Sequence, residues 1–528
     1  MIVVINWFKS EDVVLEFATL ICKLIAKQPW TVCDGISHQF RDEFFYVFRK
    51  LSKERPSRIC GLLLDSCADP NDTTQSGWTI NLPPNYTTCS MWLFSVAHSN
   101  FFSPTRNLRV LQLTDLHIDF EYRPSSEANC DLPVCCRFLK VVCLTLAKET
   151  AGYWGTAGKC DIPYWTVKNM LEHINATHKI DYIMLSGDFI NHFDWIYTVD
   201  GHVTALRNVS ALIRHFFPNT PTYWSIGNHE GVPVNSFAPH FVDKRFWPSW
   251  LYEEFSAMSA PWLDSNASKT MLYRGSYSVK IVNGLRLISL NSGFCETTNF
   301  FLYLNQSDPD GTMSWLVLEL FKAELSGESV HILSHIPPGD SECLEGWARN
   351  YYRIIQRFSN IIKGQFFGHA HTDYVTVFYE DMHNISSNPI DVLYAAPSTT
   401  TFAGMNPAYR IYEINVTDHF KVDNIMNYFA DLEKTTVDRP PNWKLLYSAK
   451  DEYDLNDLSP TSWNNLVNSL YNDRKTAERF FRNAVRVEDH MCDATCQWKL
   501  LCALRMGHHN STLYCPDKRF SNTTERNG

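Results

Sequence analysis

Apolar positions fall into distinct textures along the chain. From residue 11 to about 55 they recur at helical spacing: Val14, Phe17, Ile21, Leu24 and Ile25, then Ile36, Phe40, Phe44, Phe48 and Leu51. The spacing predicts two or more amphipathic helices. Residues 68–107 break the pattern with Pro, Asn, Ser and Thr, as in PNDTTQSGW, LPPNYTT and SPTRN, and read as a linker. From Leu108 short apolar runs alternate with helical patterns, which predicts an α/β domain reaching about residue 430. Residues 440–518 read as helical again. The boundaries drawn are 1–70, 71–107, 108–430 and 431–528, and no internal repeat is visible. No window offers ~18 uncharged apolar residues, so no transmembrane span is expected.

Composition narrows the class. At 528 residues, 45% apolar and 20% charged, the chain is globular and long enough for two or three domains. Its net charge of -10 is mild and spread out, which argues against a nucleic-acid partner. The 16 cysteines change the picture more. Several are close-set, as in CDLPVCC and CDATC, and in a reducing compartment such spacing would point to zinc. Asn-x-Ser/Thr sites at Asn71, Asn85, Asn175, Asn208, Asn266, Asn305, Asn384, Asn415, Asn510 and Asn522 point instead to a glycosylated, disulfide-bonded protein, secreted or lysosomal. The opening MIVVINWFKSEDVV lacks a basic lead, a long apolar stretch and a small-residue cleavage site. The expectation is that a signal peptide precedes Met1.

The chemistry sits where apolar runs stop. LRVLQLTDLHID ends on Asp115 and His117, DYIMLSGDFINH on Asp188 and His192, and PTYWSIGNHEGVPVN on Asn228 and His229. SVHILSHIPPG carries His335, and GQFFGHAHTD carries His369 and His371. Sites in α/β sheets form outside the carboxyl ends of strands, so these stretches can converge on one rim. Carboxylate, imidazole and amide oxygen suit Zn, Mn or Fe. Two ions about 3.5–4 Å apart need a bridging group, and Asp188 on its Gly-Asp turn can serve. Residues two apart on an extended chain share a face, as expected for Asp115 with His117 and for His369 with His371. Each position also has a plain structural reading. Asp115 can cap a turn, Asn228 can hold a tight Gly-Asn turn, and His335 can be a satisfied buried histidine. His192 reads equally as a surface histidine, and Glu230 as a residue that orients His229 or caps a turn. His508 and His509 read as exposed.

The ordered set D-x-H, G-D, G-N-H-E, S-H and G-H-x-H resembles the signature of the calcineurin-like metallophosphoesterases over about residues 108–420. AGYWGTAGKCDIP, GNHEGVPVNSF, LRLISLN, HIPPG, NYYRI and QFFGHAHTD look like the acid sphingomyelinase family, and extend the resemblance over nearly the whole chain. Cys22, Cys33, Cys60 and Cys67, set among the N-terminal helices, look like the later part of a saposin-type domain whose first cysteines would lie upstream of Met1. The resemblance implies an α+β fold: a four-layer double β-sandwich flanked by helices, with a small all-α saposin-type N-terminal domain and a helical C-terminal region. It implies hydrolysis of sphingomyelin to ceramide and phosphocholine with two zinc ions, by attack of a metal-bridging hydroxide on phosphorus. One zinc would take Asp115, His117, Asp188 and His371, and the other Asp188, Asn228, His335 and His369. His229 or His192 would protonate the departing ceramide oxygen, with His229 favoured because it adjoins a ligand. Disulfides would pair Cys22–Cys33, Cys130–Cys135, Cys136–Cys160, Cys295–Cys343, Cys492–Cys496 and Cys502–Cys515, while Cys89 and Cys143 have no counterpart. The implied partners are sphingomyelin or a related phospholipid and a membrane surface met through the saposin-type domain.

Other functions stay open at this point. One is a phosphodiesterase for nucleotides or other phosphodiesters. Another is a non-catalytic lipid-binding protein on the same scaffold. Thr298 and Phe402 lie near where relatives place choline-binding groups, which would alter choline selectivity. The His pair gives the first prediction. His369→Ala and His371→Ala should each lose metal and activity while glycosylation and secretion survive. Full turnover and metal content in either variant would refute the dinuclear assignment.

Overall fold

The computed structural model describes residues 10–54, 74–84, 106–137, 149–487 and 494–508. Cys60, Cys67, Cys89, Cys143, Cys492 and Cys515 lie outside them, as do Asn71, Asn85, Asn510, Asn522 and His509.

Helices Glu11–Ile21, Trp30–Gln39 and Arg41–Leu51 form where the helical spacing places them. A π turn, Cys22–Ala26, ends the first, and a Cys22–Cys33 disulfide ties it to the second. Val14 and Leu15 pack on Phe45, whereas Phe17, Leu24, Ile25 and Trp30 stay exposed. Segment 74–84 is not a free tether. Trp78 and Ile80 are buried against helix Glu345–Phe358, where Asn350 accepts from the Ile80 amide at 2.8 Å and donates to the Trp78 carbonyl at 3.0 Å. Two apolar side chains in a Pro- and Asn-rich stretch were enough to dock it.

Strands β1 (Leu108–Leu113), β2 (Ile118–Asp119), β3 (Ile162–Pro163), β4 (Tyr182–Leu185), β5 (Thr222–Trp224), β6 (Tyr277–Val282) and β7 (Leu285–Ser289) come first in the chain. They are followed by β8 (Ser329–Leu333), β9 (Ile362–Phe367), β10 (Tyr374–Tyr379), β11 (Pro389–Ala395), β12 (Ala408–Asn415), β13 (Lys421–Phe429) and β14 (Lys444–Ser448). One six-stranded sheet has the order β14-β13-β12-β1-β4-β5, and a second β10-β11-β9-β8-β7-β6. In the first, β1, β4 and β5 run parallel; in the second, β7, β8, β9 and β11 do. β4, β8 and β10 are buried at every position because both faces are covered. Helix Ser249–Ser259 packs beside β5, Thr312–Leu325 beside β8 and Pro460–Leu470 beside β11.

The two sheets face each other and are tied by buried polar groups. Tyr182 on β4 meets His331 on β8 at 3.2 Å. Gln112 on β1 donates to the Phe367 carbonyl on β9 at 3.0 Å and accepts from the Tyr412 hydroxyl at 2.6 Å. The expected boundary at 430 falls inside the first sheet, since β14 pairs with β13 beyond it. A polar segment between the two strands hid that pairing. Helices Pro460–Leu470, Arg474–Val485 and Ala494–Ala503 follow. The chain then returns to β10, where the Val377 amide donates to the Leu504 carbonyl at 2.9 Å. That contact buries His508 edge-on to Tyr352, so His508 is not the exposed residue expected. Among the described residues no helix is long and apolar enough to cross a membrane.

Asp373, directly before β10, ties the loop after β9 to the first sheet. It accepts from the guanidinium of Arg410, the amide of Asn427 and the hydroxyl of Tyr447, all buried on the first sheet. Asp373→Ala would strand the Arg410 charge in the core and should cost about 3–5 kcal/mol. The urea midpoint reads this directly, and an unchanged midpoint would show that the hub bears no strain.

Candidate active site

Both sheets deliver the carboxyl ends of parallel strands to one edge. β1 ends at Asp115 and His117, β4 at Asp188 and His192, β5 at Asn228 and His229, β8 at His335, and β9 at His369 and His371. The extended spacing expected for the paired residues is not what brings them together. Asp115, His117, Asp188, His369 and His371 all have positive φ, between 38° and 72°. Each such turn costs on the order of 1–3 kcal/mol and must be held by its surroundings. The Asp115 amide donates to the Gly187 carbonyl and the His117 amide to the Asp188 carbonyl, both at 3.0 Å. The His369 amide donates to the Asp115 carboxylate at 3.0 Å. Two glycines allow the approach. A Cβ on Gly368 would collide with Thr114 Oγ1, and one on Gly227 would collide with Asp188 Oδ1.

The side chains gather in two overlapping groups. His371 Nε2 lies 3.2 Å from His117 Nε2 and 3.5 Å from Asp115 Oδ1, and His117 Nε2 lies 3.5 Å from Asp188 Oδ2. On the other side His335 Nε2 is 3.0 Å from Asp188 Oδ2 and 2.9 Å from Asn228 Oδ1. His369 Nδ1 is 3.0 Å from the same Asn228 oxygen. Asp188 belongs to both groups.

The outer ring atoms decide what these contacts mean. His117 Nδ1 lies 2.7 Å from the Ile190 carbonyl, and His335 Nδ1 lies 2.6 Å from the Ser186 carbonyl. A carbonyl only accepts, so each Nδ1 carries the proton and each Nε2 presents a lone pair. His369 is held the other way round, with Nε2 3.3 Å from Glu342 and Nδ1 turned to Asn228. The Cys295–Cys343 disulfide ties down the strand of chain that carries Glu342. Without a cation, burial is outweighed by Asp188 at His335 and by Glu342 and Asp340 at His369, so the pKa of His335 rises and that of His369 rises to about 10. With neutral rings, oxygen and nitrogen lone pairs face one another here. A cation resolves that arrangement, and carboxylate–imidazole pairs of this kind fix the tautomer of metal-binding histidines. Groups able to hold an ion include Asp188 with His335 and His369, and His117 with His192 and His371. Burial, then repulsion from His192, holds the pKa of both His117 and His371 well below the usual imidazole value, in the neutral form that a metal requires.

Two further imidazoles border these groups. His229 Nδ1 lies 2.9 Å from the Tyr197 hydroxyl and 3.3 Å from Asp194. Burial disfavours charge on His229, but Asp188 and Asp194 outweigh it and raise its pKa to about 10. His192 is no surface histidine. Its ring is stacked between His117 at 3.7 Å and Phe402 at 4.1 Å, and Asp161 holds its Nδ1 at 2.7 Å. Thr298 lies off the imidazole cluster, hydrogen-bonded to Asn235 at 2.7 Å and to Glu296 at 3.0 Å.

Several supporting residues escape the sequence pattern. Glu230 neither orients His229 nor caps the turn that follows. It is fully buried and accepts from the backbone amides of Asp188, Phe189 and Gly227 at 2.9, 2.7 and 2.7 Å. It therefore clamps the turns after β4 and β5 to each other. Asp161 and Arg486 act across longer separations, and the Arg486 guanidinium donates to the His371 carbonyl at 3.2 Å. For Glu230, adjacency to His229 was the signal available; for the other two there was none.

The structure joins Cys22–Cys33, Cys130–Cys135, Cys136–Cys160 and Cys295–Cys343. Cys496 and Cys502 are half-cystines, and their expected partners, Cys492 and Cys515, lie outside the described residues. Asn175, Asn208, Asn266 and Asn384 are exposed, and Asn305 and Asn415 are part-exposed.

Comparison with known proteins gives a consistent picture. Residues 108–373 match the model of the calcineurin-like phosphoesterases, and residues 388–521 match that of the acid sphingomyelin phosphodiesterase C-terminal region. The chain is 60% identical over 507 residues to sphingomyelin phosphodiesterase 1 of Caenorhabditis elegans, spanning 96% of this chain and 89% of that protein. It is 34% identical to sphingomyelin phosphodiesterase 2 of the same organism, over 96% of this chain and 85% of that one. Identity to the sphingomyelin phosphodiesterase of Homo sapiens is 37%, over 94% of this chain and 78% of that one.

The Glu230 clamp yields a prediction of its own. Glu230→Gln puts an amide N–H against backbone donors and should cost about 1–3 kcal/mol locally. Hydrogen exchange at the Asp188, Phe189 and Gly227 amides should speed up in proportion, and unchanged exchange there would contradict the clamp.

Proposed function

We propose that this chain, which belongs to the calcineurin-like phosphoesterases and within them to the sphingomyelin phosphodiesterases, hydrolyses sphingomyelin to ceramide and phosphocholine. The observation that carries this reading is the pair of lone-pair clusters sharing Asp188, with two more imidazoles beside them. Asp115, His117, Asp188 and His371 would hold one zinc ion, and Asp188, Asn228, His335 and His369 the other. Two such ions would lower the pKa of bound water toward ~7 and offset charge on the phosphoryl oxygens.

The chain's own residues do the rest. Ile190, Ser186 and Glu342 fix the tautomers of His117, His335 and His369. Tyr197 and Asp194 occupy Nδ1 of His229 and leave Nε2 to deliver a proton to the ceramide oxygen as it departs. His192, braced by Asp161, flanks the leaving group and serves as the second donor. Phe402, stacked on His192, offers the apolar wall beside it.

The two facing sheets with their covering helices are read as the four-layer double β-sandwich, with the catalytic unit extending through β14. The N-terminal helices are read as a saposin-type module. Their exposed Phe17, Leu24, Ile25 and Trp30 support contact with a membrane surface. The glycosylation sites and disulfides support a secreted or lysosomal setting.

The test pairs a zinc count on secreted protein with turnover of sphingomyelin and ATP side by side at pH 5. Sphingomyelin should be the faster substrate. No sphingomyelin cleavage by the metal-loaded protein would overturn the reading, and preference for ATP would make it a nucleotide phosphodiesterase. His229→Ala should cut kcat on sphingomyelin about 10²–10⁴-fold. It should cost far less on a nitrophenyl phosphodiester, whose leaving group needs no proton, and equal losses on both would remove His229 from the acid role.

A further inference from the structure

Glu43 is a carboxyl group in an unexpected place. It lies on helix Arg41–Leu51, is 3% exposed, and faces the loops around Ser236 and Phe300 rather than solvent. Around it the helix is packed by aromatic contacts. Phe40 meets Phe300 at 5.4 Å, Tyr46 meets Phe246 at 5.1 Å, and Val47 and Leu51 share a cluster with Ala238, Val242 and Phe301. Within this apolar seam the Ser236 hydroxyl donates to Glu43. The next residue back, Asn235, has a positive φ of 66° and accepts from the Asn228 amide at 2.9 Å. Asn228 Oδ1 is then left for His335 and His369. The neighbouring helix reaches the other border of the site. Gln39 donates to the Tyr197 carbonyl at 2.8 Å, Gly35 is tight enough against Trp195 that a Cβ would sit 2.5 Å from its carbonyl, and Tyr197 holds His229.

We propose that the docked N-terminal helices position the second metal site: Glu43 holds Ser236, its neighbour Asn235 orients the Asn228 carboxamide, and undocking loosens that ligand. This rests on the reading of Asn228 as a ligand of the second metal. Glu43 and Asn235 are positioning residues, since neither touches the reacting atoms.

The device is sensitive to pH. The groups that meet Glu43 are the Ser236 hydroxyl, the Phe300 amide and the Tyr303 phenol, none of them cationic. Of the cations of its own helix, Arg41 and Arg49 are engaged outside with Glu11, and Lys50 lies over the Tyr46 ring at 5.6 Å. Burial therefore dominates and raises the Glu43 pKa from 4.5 to about 8, with Ser236 and Phe300 opposing. A raised acid binds its proton in the docked state. Its contribution to docking is complete below about pH 4.5 and is lost as pH rises through about 8.

The test uses the full chain. Metal content after dialysis, hydrogen exchange over residues 228–237, and turnover of a water-soluble nitrophenyl phosphodiester are measured at pH 5 and pH 8. The soluble substrate removes any effect of lipid docking. Glu43→Ala should weaken one of two metal positions about tenfold, speed exchange in 228–237, and lower kcat with little change in KM. Glu43→Gln keeps a neutral hydrogen-bonding group, so it should restore the loop at pH 5 and hold it at pH 8, where the parent loosens. Parental metal content and exchange in Glu43→Ala would overturn the proposal, as would a parent whose loop protection is the same at both pH values. If Glu43→Ala does not fold, Asn235→Ala decides, because it leaves the helix seam alone. It should reproduce the metal loss, and parental metal content in it would refute the relay. Asn228→Ala separates the two readings: if it keeps both metals, the ligand assignment fails, whereas metal loss in Asn228→Ala alone leaves that assignment standing and removes only the relay.

Discussion

Lone pairs repel, and this structure forces many of them together around Asp188. His117 and His335 both turn Nε2 toward it, at 3.5 and 3.0 Å. Asn228 and His369 add further acceptors beside them. Neutral rings in that cluster need a cation between them, and the turns that carry them must be held by the rest of the fold. The double sheet core holds them. Strand ends from both sheets fix the turns, Glu230 binds the turn after β4 to the turn after β5, and Asp373 binds the loop after β9 to the first sheet. Removing glycine at 368 or 227 would push a Cβ into the same crowded space. The site is therefore strained by design of its surroundings, as the run of positive φ angles at Asp115, His117, Asp188, His369 and His371 records.

That strain explains what could be read in advance. Ligand-type residues at strand ends are visible in sequence because strand and ligand are adjacent in the chain. The order of the stretches and the polar residues that break each apolar run located every member of the cluster. Its geometry was not legible. Alternation on an extended strand would have put Asp115 beside His117, yet left-handed turns do so, and no short pattern announces a non-glycine residue at positive φ. Asp161, Asp373 and Arg486 were missed because each acts on a partner brought close only by the fold: His192 by Asp161, Arg410 by Asp373, His371 by Arg486. The same limit applies to β14, whose pairing with β13 is hidden by the polar segment between them, and to Trp78 and Ile80, which look like linker until helix Glu345–Phe358 is in place.

Burial disfavours charge on His117, His371, His229 and Glu43 alike, and their neighbours decide whether it prevails. His117 and His371 sit among other imidazoles, and burial keeps them neutral. His229 is as deeply placed but faces Asp188 and Asp194, and the two carboxylates overcome desolvation. Glu43 has no cation against it, so burial alone sets its direction. Burial thus keeps His117 and His371 neutral and makes Glu43 a neutral carboxyl, whereas at His229 two carboxylates override it.

The N-terminal helices connect these threads. Their outer side leaves Phe17, Leu24, Ile25 and Trp30 in solvent, while their inner side grips Ser236, on the loop that carries Asn228 and His229, and Tyr197, which holds His229. A lipid surface and a phosphoryl-transfer site make opposite demands, one apolar and adaptable, the other polar and held to fractions of an ångström. Joining the helices to the catalytic unit through a flexible tether would let them move without consequence for the site. The contacts at Glu43, Gln39 and Gly35 are too close for that independence. Any displacement of the helices must be taken up by Ser236 or Tyr197, each one hydrogen bond or one residue from a side chain of the site. The imidazole–carboxylate cluster and the N-terminal helices are therefore packed as one unit, and the acidity that suits the buried Glu43 is the same condition under which that packing is favoured.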